Sequence, residues 1–209
     1  VWEPGMPART MHTTSFKSEV ADGMRIDWDV PITMDDGIVL RADVYRPDDN
    51  GRYPVILSHG PYGKGLAFQE GWKNAWDRLT SLFPEVTEGT SAKYANFEVV
   101  DPEKWVPDGY ICVRVDSRGA GRSPGFLDPK SARESKDLHD CIEWAAVPRS
   151  PVRMRTTSST GVTKILPSPI SPVRAASVMA AMAASTLSSA TTVVIRILER
   201  KSTVNSLPR

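Results

Sequence analysis

The sequence predicts an α/β fold with a partly parallel sheet, and two observations lead to this prediction. The order strand, glycine-rich loop, helix occurs twice between Pro54 and Pro148, as in chains that fold into parallel α/β sheets. The first of these strands, Pro54–Leu57, is a short apolar run without polar alternation, which is typical of strands buried on both faces. With 209 residues, 40% hydrophobic and 24% charged, the composition excludes collagen-like, wholly disordered and integral membrane proteins.

The first part of the chain predicts an antiparallel hairpin. Residues 1–23 lack a clear period and contain several Pro, Gly, Ser and Thr residues, so we predict an N-terminal arm. Residues 26–34 mix apolar and β-branched residues and predict a strand. Asp35-Asp36-Gly37 then predicts a turn, and the alternation over residues 38–45 predicts a half-buried strand.

The next segment contains the first strand, loop and helix. Pro54–Leu57 is the buried strand, and residues 58–65 form a tightly shaped loop with three glycines. Apolar residues at helical spacing predict a helix over residues 72–83, and Pro84 ends it. Residues 85–108 are irregular, apart from a short helix near Pro102–Val106.

The same order then repeats. Tyr110–Val115 predicts the second buried strand, and residues 116–125 form the second glycine-rich loop. Ser131 and Glu134 have the spacing of a capping box, in which each side chain accepts the other's free backbone N–H. The helix that they open ends at Pro148 and is predicted to bury four residues: Leu138, Cys141, Ile142 and Ala145.

The composition changes abruptly after Pro148. Residues 149–209 contain no aromatic residue, 19 Ser or Thr, and a net charge of +8; since the whole chain carries +1, the first 148 residues carry −7. We predict a low-complexity, disordered tail, or a sequence produced by an upstream change of reading frame or a retained intron. Val173–Ala184 is at most a weak helix and Thr191–Leu198 a weak strand.

Cysteine usage and apolar runs bear on the compartment. Cys112 and Cys141 lie in apolar stretches and are predicted to be buried free thiols. The sequence shows no charged and apolar signal peptide, so we expect a cytoplasmic protein. Residues 175–195 are uncharged but rich in Ser and Thr, which argues against a transmembrane helix.

Four stretches resemble, in order and spacing, the X-Pro dipeptidyl-peptidase and cocaine-esterase (CocE/NonD) family of α/β-hydrolases. They are Met34–Pro47, Pro61–Lys64, Gly109–Ser123 and Asp137–Trp144. The resemblance implies that residues 24–148 form the N-terminal half of an α/β-hydrolase sheet, a partial domain between the arm and the tail.

The family resemblance also implies a function. Its members are serine hydrolases that cleave small esters or peptide amides without a cofactor. A Ser on a strand-to-helix turn is the nucleophile, and Asp and His follow it in the chain. Tyr62 matches the tyrosine whose hydroxyl donates to the oxyanion. The triad cannot be matched onto this sequence, so we predict a chain that is truncated before the nucleophile and inactive as written. The alternative is a non-catalytic remnant or a small binding protein with a basic tail.

One motif imitates a nucleophile turn. Gly121-Arg122-Ser123-Pro124-Gly125 fits the pattern G-x-S-x-G, but a polar loop separates it from its strand. Pro124 also lacks the backbone N–H that would donate to the oxyanion. We therefore predict that Ser123 lies in a structural turn.

For the other polar residues, the sequence favours structural or solvent-exposed roles over catalytic ones. His59 is expected to be a hydrogen-bonded loop residue, and His12 and His139 to be solvated. Asp116 and Arg118 are expected to tie down the second loop by a salt bridge. No metal-ligand spacing or phosphate-binding motif is present. The tail has scattered charges and no aromatic residue for stacking, so we expect neither a nucleic-acid nor a membrane partner.

Overall fold

The computed structural model describes residues 16–49 and 51–146, and the backbone of residues 191–195. These residues form one mixed sheet with helices on both of its faces. The strands are β1 (Lys17–Ala21), β2 (Met24–Thr33), β3 (Val39–Arg46), β4 (Val55–Gly60), β5 (Ile111–Asp116) and β6 (Thr191–Ile195). The helices are α1 (Phe68–Gly71), α2 (Lys73–Leu82), α3 (Pro102–Trp105) and α4 (Ala132–Ala146), with a 3₁₀ turn at Pro84–Thr87.

The sheet has the order β1-β2-β3-β5-β4-β6. β4 and β5 are parallel, as the sequence predicts, and the other neighbouring pairs are antiparallel. Val55 is paired with Ile111 and Gly60 with Asp116, so the two parallel strands end side by side. The loops that follow β4 and β5 therefore leave the sheet at the same edge.

Each face of the sheet has its own hydrophobic core. On one face, Leu57 and Val113 pack with Cys141 and Ala145 of α4. On the other face, a second core contains Met24, Ile26, Tyr45, Cys112, Tyr94 and Val106. Apolar burial on both faces explains why β4 and β5 each begin with three consecutive apolar residues, Val55–Leu57 and Ile111–Val113. Both cysteines are free and buried, as predicted.

The predicted N-terminal arm contains a strand that the sequence reasoning missed. β1 pairs with β2 in an antiparallel hairpin, so the arm cannot extend unstructured to residue 23. Asp22 and Gly23 make the turn with φ of 51° and 75°, the two positive values that a tight type I′ hairpin requires. The Asp-Gly pair was the available signal. Residues 1–15 lie outside the described residues.

The hairpin of β2 and β3 is confirmed, with two details that the sequence did not predict. Gly37 makes the turn at φ 84° and donates its N–H to the Met34 carbonyl at 3.0 Å. β2 contains a bulge between Asp27 and Val30. The second half of β3, from Ala42 to Tyr45, is buried on both faces and not half-buried, because Val44 packs into the core on one face of the sheet and Tyr45 into the core on the other.

The helices agree with the sequence in position and differ in detail. α2 ends before Pro84, and none of its residues is fully buried. Its apolar face is therefore only partly covered within the described chain. In the capping box of α4, the Glu134 N–H donates to Ser131 Oγ at 3.1 Å. The Glu134 carboxylate, however, accepts the N–H of Lys130 and not that of Ser131.

The C-terminal predictions fall largely outside the described residues. β6, at Thr191–Ile195, forms part of the predicted weak strand and pairs antiparallel with β4. The predicted helix over residues 173–184 and the rest of the tail lie outside the described residues. Within the described part of the chain, no helix is long and apolar enough to cross a membrane.

Candidate functional site

Two loops meet at the edge where β4 and β5 end. We call residues 61–67, which follow β4, the tyrosine loop, and residues 117–125, which follow β5, the glycine loop. The carboxyl edge of parallel strands is where α/β folds place their ligands and catalytic groups. These loops therefore define the candidate site.

Tyr62 lies at the start of the tyrosine loop against an aromatic wall. Its half-buried ring meets Trp72 edge to face at 5.4 Å and Phe97 at 5.1 Å between ring centroids. Trp72 and Phe97 are themselves stacked at 4.8 Å with an interplanar angle of 12°. Edge-to-face packing on two rings restricts the orientation of the Tyr62 ring.

The backbone beside Tyr62 is held by two buried polar side chains. The Lys64 N–H donates to Asp116 Oδ1 at 2.6 Å. Asn96 Nδ2 donates to the carbonyls of Gly63 at 3.1 Å and Lys64 at 3.0 Å. Gly63 has a φ of 78°, which an L side chain adopts only with strain. The chain immediately after Tyr62 is therefore fixed at both its N–H and C=O groups.

The segment that supplies this wall is attached to the sheet by Arg114. The Arg114 guanidinium is buried and donates to the carbonyls of Tyr94 at 2.7 Å and Val100 at 2.8 Å. These two carbonyls flank Asn96 and Phe97 in the chain. Arg114 therefore fixes the residues that contact the tyrosine loop.

The Lys64 ammonium is nearly enclosed between two carboxylates. Its side chain is 5% exposed, and Nζ lies 2.6 Å from Asp29 Oδ1 and 2.8 Å from Asp43 Oδ1. Burial by itself lowers the pKa of Lys64, but the charge of Asp43 and the hydrogen bonds to Asp29 and Asp43 outweigh it, so the pKa is raised. Lys64 is therefore a charged anchor and not a proton donor near neutral pH.

Asp116 joins the two loops. Its buried carboxylate accepts the N–H of Lys64 through Oδ1 and the N–H of Arg122, at 2.8 Å, through Oδ2. Burial raises the pKa of Asp116, although both hydrogen bonds and the Lys64 charge act in the opposite direction. The carboxylate fits only because residue 121 is glycine, since a Cβ there would lie 2.2 Å from Asp116 Oδ2.

Ser123 is a structural residue, as the sequence predicts. It is 6% exposed, its hydroxyl donates to the Asp116 carbonyl at 2.7 Å, and Oγ accepts the Arg41 N–H at 2.9 Å. Its own N–H donates to the Ala120 carbonyl at 2.8 Å. The G-x-S-x-G pattern here forms a turn whose serine is bonded to backbone groups.

Arg118 and Asp116 both tie down the glycine loop, but not with each other. Arg118 forms a two-pronged pair with the fully buried carboxylate of Asp137, at 2.9 and 3.0 Å, and also contacts Asp36 at 2.8 Å. Asp116 uses backbone N–H groups instead. The predicted salt bridge between the two residues is therefore wrong: Arg118 pairs with carboxylates of α4 and of the turn between β2 and β3, and Asp116 holds the loop through backbone N–H groups.

The prediction for His59 is wrong. His59 is a residue of β4 rather than of the loop, it is 2% exposed, and its Nε2 has no hydrogen-bond partner among the described residues. Burial lowers its pKa to about 4, against a smaller opposing effect of Asp137. His59 is therefore neutral at neutral pH. His139 is exposed on α4, as predicted, and His12 lies outside the described residues.

Several residues of the site were missed by sequence reasoning. Asp29 and Asp43 are charged residues inside predicted strands, and this should have marked them as partners of a buried cation. Asn96 lies in an irregular segment and gave no signal. In residues 16–49 and 51–146, no three His, Cys, Asp or Glu side chains are grouped so that they could hold a metal ion.

The fold and the paired loops define an α/β-hydrolase sheet, with its antiparallel hairpin followed by a parallel strand pair. The family model of the X-Pro dipeptidyl-peptidase (S15 family) matches residues 36–189, which is more than half of the chain. The chain belongs to this family. The matched range extends beyond Pro148, so the family likeness is not confined to the stretch over residues 24–148 in which the motifs occur.

The chain is also similar to a curated enzyme and to solved hydrolase structures. The chain is 31% identical over 115 residues to the cocaine esterase of Rhodococcus sp. (strain MB1 Bresler), covering 55% of this chain and 16% of the esterase. One crystal structure of a CocE/NonD family hydrolase from Staphylococcus aureus is 29% identical and covers 69% of this chain and 26% of its own, with a TM-score of 0.50. Another is 33% identical and covers 59% and 20%, with a TM-score of 0.47. The chain thus spans between 16% and 26% of the length of these relatives.

Proposed function

We propose that this chain supplies the oxyanion-binding part of a serine hydrolase that acts on small esters or peptide amides. The Tyr62 hydroxyl donates a hydrogen bond to the negative oxygen that forms when the carbonyl is attacked. The observation that carries the proposal is the fixation of the tyrosine loop at the carboxyl edge of β4. Its backbone is held by Asp116 and Asn96, and its ring by Trp72 and Phe97.

Fixation of the donor matters because of how such sites work. A donor that is already aimed where charge develops stabilises the transition state without paying for reorganisation during the reaction. Removal of one such donor typically lowers kcat by a factor of about 100 to 1,000. A ring held on two sides, next to a backbone held at two residues, meets this requirement.

The same proposal includes an expected lack of activity in the chain by itself. Ser123 donates to a backbone carbonyl and not to a histidine, and no Ser, Asp and His set matches the family triad in the sequence. We propose that residues 1–209 alone do not hydrolyse esters. Turnover of a small ester or peptide requires a nucleophilic serine in addition to the tyrosine loop, and the motifs matched in this sequence do not include that serine.

Fluorophosphonate labelling of the full chain tests this part directly. The probe forms a bond to an activated serine, and peptide mapping then identifies the residue. We expect no labelling above that of heat-denatured protein, and no turnover of p-nitrophenyl acetate. Stoichiometric labelling of any serine would contradict the proposal, and loss of that label in Ser123→Ala would show that the glycine loop carries the nucleophile after all.

The role of Tyr62 needs a nucleophile in the assay. Residues 24–146 can replace the matching segment of the Rhodococcus cocaine esterase, which supplies the rest of the hydrolase. In the active chimera, Tyr62→Phe should lower kcat by about 100-fold or more and leave KM nearly unchanged, because the donor acts in the transition state. Tyr53→Phe is the matched control, since the Tyr53 hydroxyl donates to Asp49, which lies within the transplanted segment and away from the site. A loss in kcat of less than threefold for Tyr62→Phe would contradict the oxyanion role.

A further inference from the structure

We propose that Asp29 and Asp116 form a two-carboxylate clamp that joins the tyrosine loop to the glycine loop and so positions Tyr62. The inference deepens the proposed function, because it names the positioning residues of the oxyanion donor. The inference rests on one observation about the hydrogen bonds of these two carboxylates. The same two residues, Lys64 and Arg122, are each bound by both carboxylates.

The inner carboxylate holds the backbone of both loops. Asp116 accepts the N–H of Lys64 with one oxygen and the N–H of Arg122 with the other. Asp116 is the last residue of β5 and is 1% exposed. Because a carboxylate can accept through both oxygens, it links two chain segments that have no sequence proximity.

The outer carboxylate holds the side chains of the same two residues. Asp29 Oδ1 lies 2.6 Å from Lys64 Nζ, and Asp29 Oδ2 lies 2.6 Å from Arg122 Nη1. The Lys64 side chain is 5% exposed, whereas that of Arg122 is 73% exposed. Since exposed ion pairs are weak, we expect the Lys64 contact to dominate this half of the clamp.

The backbone of β2 is distorted in a way that places Asp29 in the clamp. Asp29 follows the start of the β2 bulge and has a φ of 56°, a left-handed conformation that is unfavourable for a residue with a Cβ. Neighbours hold it there: the Asp29 N–H donates to Asp43 Oδ1 at 2.9 Å, and Arg41 Nη1 donates to the Asp29 carbonyl at 3.3 Å. Strained residues that the surroundings maintain are concentrated at functional sites.

The consequence for Tyr62 follows from its position in the chain. Lys64 is two residues after Tyr62, and the clamp fixes both its backbone and its side chain. A loss of either carboxylate removes one of the contacts that hold Lys64, and so loosens the loop next to Tyr62. Asp29 and Asp116 are thus positioning residues and not catalytic ones.

The test is fluorine NMR of the full 209-residue chain labelled with 3-fluorotyrosine. The chain contains five tyrosines, and Tyr62→Phe identifies the resonance of Tyr62 by its loss. Asp29→Asn and Asp116→Asn are the test variants, because asparagine keeps the shape and removes the charge. Asp77→Asn is the matched control, since Asp77 forms an exposed pair with Lys73 on α2.

We expect the Tyr62 resonance to shift or broaden in both test variants, more strongly in Asp116→Asn, with the other tyrosine resonances and the Asp77→Asn spectrum unchanged. An unchanged Tyr62 resonance in folded Asp29→Asn would overturn the clamp. So would a joint change of all five resonances, because the carboxylates would then support the whole fold. Should Asp116→Asn not fold, the partly exposed Asp29 still decides the question.

This experiment separates the clamp from the proposed function. The NMR readout reports the position of Tyr62 and requires no catalysis. If Tyr62 moves in the aspartate variants but Tyr62→Phe leaves kcat of the chimera intact, the clamp stands and the oxyanion role fails. If Tyr62→Phe abolishes turnover, but the Tyr62 resonance is unchanged in Asp29→Asn and Asp116→Asn, the oxyanion role stands and the clamp fails.

Discussion

The tyrosine loop and the glycine loop begin alike and end differently. Each follows a buried strand of the same parallel pair, and each is rich in glycine. The tyrosine loop presents a half-buried aromatic side chain beside a wall of other rings, whereas the glycine loop buries its serine and bonds both sides of the hydroxyl to backbone. The comparison teaches that the distance from the strand end decides which side chain a loop can offer for chemistry.

The difference in distance is visible in the contacts. Tyr62 is the second residue after β4, so the strand itself directs it. Ser123 is the seventh residue after β5, and the loop has turned back by then, so the Ser123 hydroxyl bonds to the carbonyl of Asp116 in the strand it left. A nucleophilic serine must project from the end of its strand, and the residue that follows it must have a backbone N–H that can donate to the oxyanion. Ser123 meets neither condition, since it lies seven residues after β5 and is followed by Pro124.

The largest expected effect compares one glycine from each loop. Gly121→Ala places a Cβ 2.2 Å from Asp116 Oδ2 at a φ of 49°, whereas a Cβ at Gly63, with a φ of 78°, meets no atom within 4 Å. Strain and overpacking together should cost Gly121→Ala about 4 kcal/mol in the free energy of unfolding, against about 1 kcal/mol of strain for Gly63→Ala. Urea denaturation measures both. Equal losses would contradict the packing of Asp116 against Gly121.

The next effect compares the strand ends, where His59 of β4 is paired with Val115 of β5. The pKa of folded His59 is lowered to about 4 by burial from an ordinary value of 6.5. His59 is therefore protonated below about pH 6.5 in the unfolded chain, but only below about pH 4 in the folded chain. As the pH falls through this range, the free energy of unfolding should decrease by about 3 kcal/mol. Denaturation at several pH values between 7 and 4 measures this loss.

A matched pair of variants isolates the histidine. His59→Val, which gives β4 the residue type of its partner in β5, should flatten the pH dependence, and exposed His139→Gln should retain it. The raised pKa of Asp116 acts in the opposite direction, since its stability contribution is present at low pH and is lost as pH rises through its folded value. It is common to all three proteins, so it cancels in the difference. A pH dependence in His59→Val as large as that of the unsubstituted chain would contradict the assignment.

A smaller effect is expected for the serine of the glycine loop. Ser123→Ala removes two hydrogen bonds, one from the Arg41 N–H and one to the Asp116 carbonyl. Their loss should lower the free energy of unfolding by about 2 kcal/mol. Thermal or urea unfolding measures the loss, and Ser81→Ala on exposed α2 is the control. If Ser123→Ala is as stable as this control, the serine is not structural.

Sequence reasoning succeeded where a local pattern determines local structure. The apolar runs of β4 and β5 and the glycine turn at Gly37 were found because burial on two faces and positive φ leave direct marks in the sequence. β1 was missed because its residues are largely exposed on a sheet edge, and an edge strand needs no apolar period. The Asp22-Gly23 turn was the better signal there.

The candidate site could be predicted only in part, for a similar reason. Tyr62 was predicted from a family motif that is continuous in sequence. Its supports come from three separate segments: Asp29 from a bulge in β2, Asn96 from an irregular stretch, and Asp116 and Arg114 from β5. Which of these charged residues meet depends on strand order and register, and a single sequence does not encode either as a pattern.

The smallest effect on stability is expected for the Tyr62→Phe substitution in the tyrosine loop. Tyr62→Phe keeps the ring contacts with Trp72 and Phe97 and removes one oxygen from a half-buried side chain, so the free energy of unfolding should change by less than about 1 kcal/mol. Tyr45→Phe, in the second core, is a control for the substitution itself. A residue that matters for catalysis but hardly for folding is the opposite of Ser123, which is expected to matter for folding alone. If Tyr62→Phe destabilises the chain as much as Ser123→Ala, both loops hold their polar side chains for structure, and the difference between them disappears.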